Sequence, residues 1–538
     1  MRQLLLLLLL GFAMMFTSCR DDFEFETSTG GLEFSRDTVY LDTVFSNIGS
    51  STYTLKVYNR SNKDIKIPNI QLGQGDNSKY RLMVDGVPGK VFNNVELLAK
   101  DSMFVFIETT IDYSDYANNT TTFLYTDNIQ FTSSNGRQQV ELVTLVQDAY
   151  FLFPHRNNEG LYEAVRYDSE SNTTEPTLVY GFNLDHAEHD DEYHWNNTKP
   201  YVIYGYATVP NGETLVVDPG ARVHFHADSG LMVRPGARVE INGTQSSTPA
   251  LENEVIFEGD RLEPEFAHVA GQWGAVLLMS AEENTINHLT VKNANIGIFA
   301  QSPIGDNNTI PKLSISNSQI YNSANFGLLA VRANITGANV VTNNAGQASA
   351  AFIQGGNYSF KHCTFANYFN SYNQVPVLIN DYRLAENDTV NISNLAARFD
   401  NCIMYGSGNL GISLEHRFPE TTFKAVFNRC LIKAIDPGNQ LNINPLYRFA
   451  ANTENEDTFY PGTIISRALN NNRPAFEDAP NNKLNLITND TPNAENPGPE
   501  GSADPAVAAT VPLDIRGVSR ANSAPDIGAY ESQPAPAE

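Results

Sequence analysis

Cysteine is scarce: four residues in 538. Cys19 ends an N-terminal apolar run, while Cys363, Cys402 and Cys430 recur at one position of a repeated pattern. Three is an odd number, and their neighbours are mostly apolar, with no His or carboxylate to complete a metal site. They read as buried free thiols. Basic residues are scarce too: 35 Lys+Arg stand against 61 Asp+Glu, a formal net charge of −26. No Lys/Arg cluster relieves this field, so nucleic acid is not an expected partner. The same field disfavours acidic polysaccharides unless a cation bridges, and it helps keep an exported protein soluble. A phosphate-cradling Gly loop and a Ser/His/Asp elbow sequence are both missing.

What the chain does have is repetition. An apolar residue, two variable positions, a small residue or Cys (once Leu), one variable position and a second apolar residue recur six times. The copies are Ile286/Leu289/Val291, Ile315/Ser318/Ile320, Ile335/Ala338/Val340, Phe360/Cys363/Phe365, Phe399/Cys402/Met404 and Phe427/Cys430/Ile432, at intervals of 29, 20, 25, 39 and 28 residues. Each copy alternates apolar and polar positions, which is strand periodicity. Asn293 and Asn322 follow the first two copies, and Asn tolerates the left-handed backbone of a tight corner. A short coil cannot bury its apolar face alone, but stacked coils can. Asp218-Pro-Gly-Ala-Arg-Val223 recurs as Arg234-Pro-Gly-Ala-Arg-Val239, and Trp273-Gly274 opens a further coil.

These coils resemble the right-handed parallel β-helix proteins of the pectin-lyase-like superfamily, over roughly Tyr201 to Glu531; the alternative is a β-sandwich with irregular hairpins. Strand-like runs before them, among them Tyr53-Thr-Leu-Lys-Val-Tyr-Asn59, resemble immunoglobulin-like domains of the abnormal-spindle/Hydin type, without the family's Pro and Gly near Leu98–Ser102. Phe16-Thr-Ser-Cys19 resembles a bacterial lipoprotein signal, with Phe16 in place of the usual Leu. Acidic residues just after Cys19 are either a surface-export signal or a solvated tether. The expected architecture is all-β. Residues 1–18 are a signal peptide, 19–29 a tether, 30–148 an immunoglobulin-like β-sandwich and 149–200 a connector. Residues 201–435 are the β-helix, and 436–538 an irregular C-terminal segment with a β-helix cap, in which Ile527, Ala529 and Tyr530 fill the open end.

The chemistry is less legible. Asp185–His194 holds metal-compatible side chains, but its spacings match no ordered motif, so no metal site is assigned. Relatives of this fold include calcium-binding pectate lyases, and calcium is the one ion the resemblance brings with it. The Asn-Thr-Asp, Arg-Ile-Lys and Arg-x-Pro-x-x-Arg sequences of its enzymes are missing. The longest interval carries an insertion with Tyr368, Tyr372, Asp381, Tyr382 and Arg383, aromatic and polar groups suited to a glycan. Asp381, Arg383 and Glu415 are the residues available for catalysis. The expected function is non-catalytic glycan binding or adhesion by an outer-membrane, surface-exposed lipoprotein. A polysaccharide lyase or glycoside hydrolase, or a structural scaffold, are the alternatives. The polysaccharide and the membrane, through lipid on Cys19, are the expected partners. Replacing Cys19 by Ala should abolish palmitate incorporation and detergent partitioning, because acyl chains anchor through about 0.8 kcal/mol per buried CH₂; partitioning that survives the substitution would refute lipidation there.

Overall fold

The computed structural model describes residues 24–116, 121–170, 172, 175–189, 191–306, 308–371, 373–384, 390–449, 457–469, 472–488 and 498–535. Cys19 lies outside them. The chain is all-β and divides into two compact units, Met1–Asp148 and Ala149–Glu538.

In the first unit, two sheets share one apolar core. Six strands, including Ile65–Leu72, Thr122–Ser133 and Gly136–Gln147, form one; Glu33–Phe34, Tyr53–Tyr58, Ser102–Thr109, Tyr80–Val84 and Val87–Gly89 form the other. Asn59 ends its strand because its buried side-chain amide donates to the carbonyls of Lys63 and Leu98, at 2.8 and 2.9 Å. Ile65–Leu72 is not obvious in the sequence because Pro68 interrupts it. The structure accommodates the missing N–H where pairing with Val91–Leu97 skips from Ile67 to Asn69.

The second unit is built from large parallel sheets, of eleven and eighteen strands. Successive strands visit three ladders in turn. Glu283–Asn287, Leu289–Lys292 and Ala294–Ala300 pair in parallel with Lys312–Ser316, Gln319–Ser323 and the start of Phe326–Ala338. This order is compatible with a parallel β-helix. The stretch read as a connector takes part: Tyr150–Leu152 pairs with Tyr201–Ile203, and Leu178–Asn183 with Tyr206–Val209.

Register brings like residues together. Phe360, Phe399, Phe427 and Tyr460 stack with centroids 5.6, 5.3 and 5.1 Å apart and planes within 8°. Cys363, Cys402 and Cys430 lie beside them, fully buried and unpaired. Five of the six repeat copies align as read. The third is Gly337/Val340/Thr342, since Gly337 pairs with both Ile315 and Phe360. The reading slipped by two residues: strand alternation has period two, so Ile335 and Val340 keep their inward faces, but Ala338, read as inward, lies abreast of Ser316 and Lys361 on the outward side. Gly337 carries no apolar side chain to reveal it; the Phe360 ring fills its place, 2.4 Å from where a Cβ would sit.

Each coil turns from the first ladder to the second on one residue with left-handed backbone: His288, Asn317, Asn339, His362, Asn401 and Arg429, at φ of 47 to 55°. Asn amides bridge neighbouring coils here: Asn317 donates to Asn287 at 3.0 Å and Asn339 to Asn317 at 2.9 Å. Asn293, Asn322 and Asn344 do the same at the next corner.

The closing segment does not plug the end of the stack. Ile527, Ala529 and Tyr530 pack on the outer face of the eleven-strand sheet, with Tyr321, Val341 and Ile403. The Gly528 N–H donates to the Asn401 carbonyl at 2.8 Å and the Ala529 N–H to Thr364 Oγ1 at 3.0 Å. The reason is composition: outward positions there are apolar, and this segment covers them together with Ala479, Leu484 and Leu486. Leu446, Tyr447 and Tyr460 join the inner core near the last coil instead.

This docking buries His362, whose Nδ1 faces the Gly528 carbonyl at 3.3 Å while Nε2 meets Asn401 Nδ2 at 2.9 Å. Burial, with the nearby Arg520 charge, pushes its pKa down to about 3. The unfolded chain takes up that proton near pH 6.5, so the unfolded state binds more protons below it. The contribution of His362 is therefore complete above about pH 6.5 and is lost, by up to about 1.4 kcal/mol per pH unit, as pH falls toward about 3. His362→Asn, the residue used at three other copies of this corner, should flatten the slope of urea midpoints between about pH 7 and about pH 5. An unaltered slope would mean that His362 is not held neutral.

Candidate functional site

On the first ladder, alternation turns Ile286, Leu313, Ile315 and Phe360 inward and a polar set outward. The outward row Glu283, Lys312, Asn334, Asn357, Ala396 and Lys424 runs in register across six strands. Beside it runs a second row that includes Ser314, Thr336, Ser359 and Arg398. Because the central side chains are small, the face is a shallow trough of about 430 Å³. Asn357 donates to Asn334 at 2.9 Å, and Arg398 is held by Asp400 through two contacts of 2.8 Å. The trough thus offers amides and hydroxyls that recur at the inter-strand spacing of about 4.8 Å. Such an array can hold an extended polar chain. The signal for it was in the sequence, in the Asn, Ser and Thr at outward positions of the repeats.

The insertion residues fall elsewhere. Val377 and Ile379 point into the core from Val375–Asn380, and the same parity carries Asp381 inward, fully buried. Asn380 pairs with Glu415, which brings His416 alongside Asp381. The Asp381 carboxylate accepts from His416 Nδ1 at 2.7 Å, from the Arg417 N–H at 3.4 Å and from the Thr421 hydroxyl. Tyr382 is 8% exposed and donates to Glu415. Burial, then the hydrogen bond to Glu415 and its charge, push its hydroxyl up to about 12. Arg417 lies over the Tyr382 ring at 4.6 Å and donates to Glu415 at 3.2 Å. Arg383 leaves this group to reach Gln301 at 3.4 Å. Tyr368 is half-buried against Phe476, with its hydroxyl pushed up by burial. Tyr372 lies outside the described residues.

Tyr368, Asp381, Tyr382 and Arg383 therefore do not form one solvent-facing contact surface. Asp381 and Tyr382 are interior members of the fold, because strand parity past the end of Val375–Asn380 outweighs the polar character of the insertion. Asp381, Arg383 and Glu415 likewise do not converge on one point. The metal-compatible His residues are taken up by carboxylates: His186 meets Asp191 at 2.9 Å and Glu213 at 3.3 Å, while His189 meets Glu192 and His194 meets Asp218, both at 2.9 Å. Among the described residues, no three or more His, Cys, Asp or Glu gather as a metal site.

No family model matches the chain, and no curated protein matches it. Among solved structures it is similar to the periplasmic chaperone SfaE, at 14% identity and TM-score 0.16 over 22% of this chain. It is also similar to a family 123 glycoside hydrolase from Clostridium perfringens, at 12% identity and TM-score 0.14 over 22% of this chain. The match spans 58% of the first structure and 26% of the second. Neither likeness reaches a level that bears on fold or function.

Replacing Asp381 by Ala leaves the His416 and Thr421 donors without their buried acceptor and should lower stability by about 3 kcal/mol or more. An unchanged urea midpoint would show that the carboxylate faces solvent.

Proposed function

We propose that this chain is a surface lipoprotein that binds glycans without cleaving them, through a right-handed parallel β-helix preceded by an immunoglobulin-like sandwich. The three-ladder visiting order supports the helix, and two sheets around one core support the sandwich. The apolar run ending in Thr17-Ser18-Cys19 supports the lipid anchor, and no helix among the described residues is long and apolar enough to cross a membrane.

The observation that carries the binding reading is the trough. It is long and open, its outward Asn334, Thr336, Asn357 and Ser359 both donate and accept, and it is built on strands whose backbone is fixed by pairing on both sides. A rigid array loses little conformational entropy when a hydroxyl-rich polymer settles on it. Non-catalytic binding fits the carboxylates at hand. Glycoside cleavage commonly uses two facing carboxyl groups. Here Glu283 stands at one edge of the trough, and Asp400 is engaged by Arg398 and Asn428.

Ser359→Trp places a large side chain at the centre of the trough, on an outward position where the core is not touched. On a glycan array, glycans retained by the wild-type chain should be lost by at least about tenfold in affinity, with the melting temperature unchanged. Equal retention by both chains, or no glycan retained by the wild type, would remove the trough as the site.

A further inference from the structure

One charged side chain of the trough is held in a fixed plane. Arg398 and Asp400 lie two residues apart on one strand, so both face outward, but Asp400 sits at the corner and is buried. Its carboxylate accepts from Arg398 Nε, from Arg398 Nη2 and from Asn428 Nδ2, each at 2.8 Å. Lys361, abreast of Asp400 on the preceding coil, turns away to Thr510 at 3.1 Å. The two-point contact fixes the plane of the guanidinium. It uses the Nε–Nη2 edge and leaves the Nη1–Nη2 edge, with no partner among the described residues, on a side chain that is 53% exposed.

Register sets what surrounds that edge. Ser359 lies abreast of Arg398 and Asn357 abreast of Ala396, so Asn357 and Arg398 are diagonal neighbours. Ser359 and Ala396 complete the square, and both are small, which leaves room above it. Asn357 Nδ2 is engaged by Asn334, so Asn357 Oδ1 remains as an acceptor. A fork that only donates stands beside an amide oxygen that only accepts.

We propose that Arg398 reads the glycan held in the trough. Its free edge donates to two adjacent hydroxyl oxygens of one sugar ring, and one of these hydroxyls donates in turn to Asn357 Oδ1. The assignment rests on the trough as the binding face and names what that face selects: a chain residue with a free vicinal diol. Asp400 is the positioning residue. The competitor is a uronate carboxylate, because three cations, Lys312, Arg398 and Lys424, stand here against the two carboxylates of Glu283 and Asp400. Hydrogen-bond sense decides between them. A carboxylate only accepts, so it satisfies the fork but leaves Asn357 Oδ1 unmatched, and it brings a second negative charge to a guanidinium that Asp400 already neutralises. A pair of hydroxyls both accepts and donates.

The test is native affinity electrophoresis of the full chain in gels of galactomannan or xylan, whose chain residues carry adjacent free hydroxyls. Three comparisons go with it: the same polymers after periodate cleavage of those diols, laminarin, whose chain residues have no two adjacent free hydroxyls, and polygalacturonate after periodate, which keeps its carboxylates and loses its diols. Retardation is expected from at least one native polymer and from none of the comparisons. Arg398→Lys keeps the charge and loses the fork, and should weaken retardation by about tenfold or more in affinity. Asp400→Asn should weaken it in the wild-type chain and add nothing in the Arg398→Lys chain, because it acts only through the fork; equal losses in both backgrounds would overturn its positioning role. All chains are read well below their melting temperatures. The proposal fails if neither native polymer retards the chain, if Arg398→Lys migrates as the wild type does, or if laminarin or treated polygalacturonate retards the chain as well as the native polymers do. Ser359→Trp tests the trough without regard to diols, so loss of retention in that variant with Arg398→Lys unaffected would overturn the role of Arg398 and leave the trough in place.

Discussion

Parallel backbone pairing between successive coils is the constraint on which the second unit depends. A strand paired on both sides has its N–H and C=O groups satisfied, and a strand satisfied this way has no freedom to shift by one residue without turning its apolar set outward. Once register is fixed, each side chain meets its counterpart one strand away. The aromatic stack from Phe360 to Tyr460, the thiols of Cys363, Cys402 and Cys430 and the corner amides of Asn287, Asn317 and Asn339 are three consequences of that one fact. Apolar columns gain by excluding water; amide columns gain because each side chain both donates and accepts, so a stack of them leaves few groups unmatched.

The same register creates the surfaces. On the outer side of the first ladder, small polar residues in line make a trough. On the outer side of the eleven-strand sheet, residues such as Val341 and Ile403 in line make an apolar strip, which the closing segment covers. The Asn401 amide shows how closely the two are joined: it donates to the Asp504 carbonyl and accepts from the Asp504 N–H, at 3.1 and 2.7 Å. A corner residue chosen for its backbone conformation thereby also holds the tail in place, and burial of His362 follows from that contact.

Polar residues in this chain do not report their own exposure. Asp381, with Tyr382 beside it, reads as a surface feature because it stands in an insertion among charged neighbours. The structure buries it because it continues the inward parity of Val377 and Ile379, and His416, Thr421 and Arg417 from the next coil supply its donors. Conversely, Phe104 and Phe106 look like core residues by type, and alternation with Met103, Val105 and Ile107 puts them on the outside.

The sequence by itself determined what is local or periodic: strands instead of helices, the inward and outward faces of the repeated coils, the corner Asn residues and the burial of the three thiols. These follow from alternation and from backbone preferences within a few residues. It left open what depends on pairing over distance. The third repeat could slide by two residues because alternation is blind to such a slip, and only the partners Ile315 and Phe360 fix Gly337 between them. Pro68 hid a strand that its neighbours complete. Whether the closing segment plugs an end or lies along a side, whether Asp381 meets solvent or His416, and which outward residues line up into a surface were decided by the tertiary structure. Each of these is set by which residue stands one rung away, and that neighbour lies 20 to 40 residues or more distant in the chain, with an insertion of arbitrary length between.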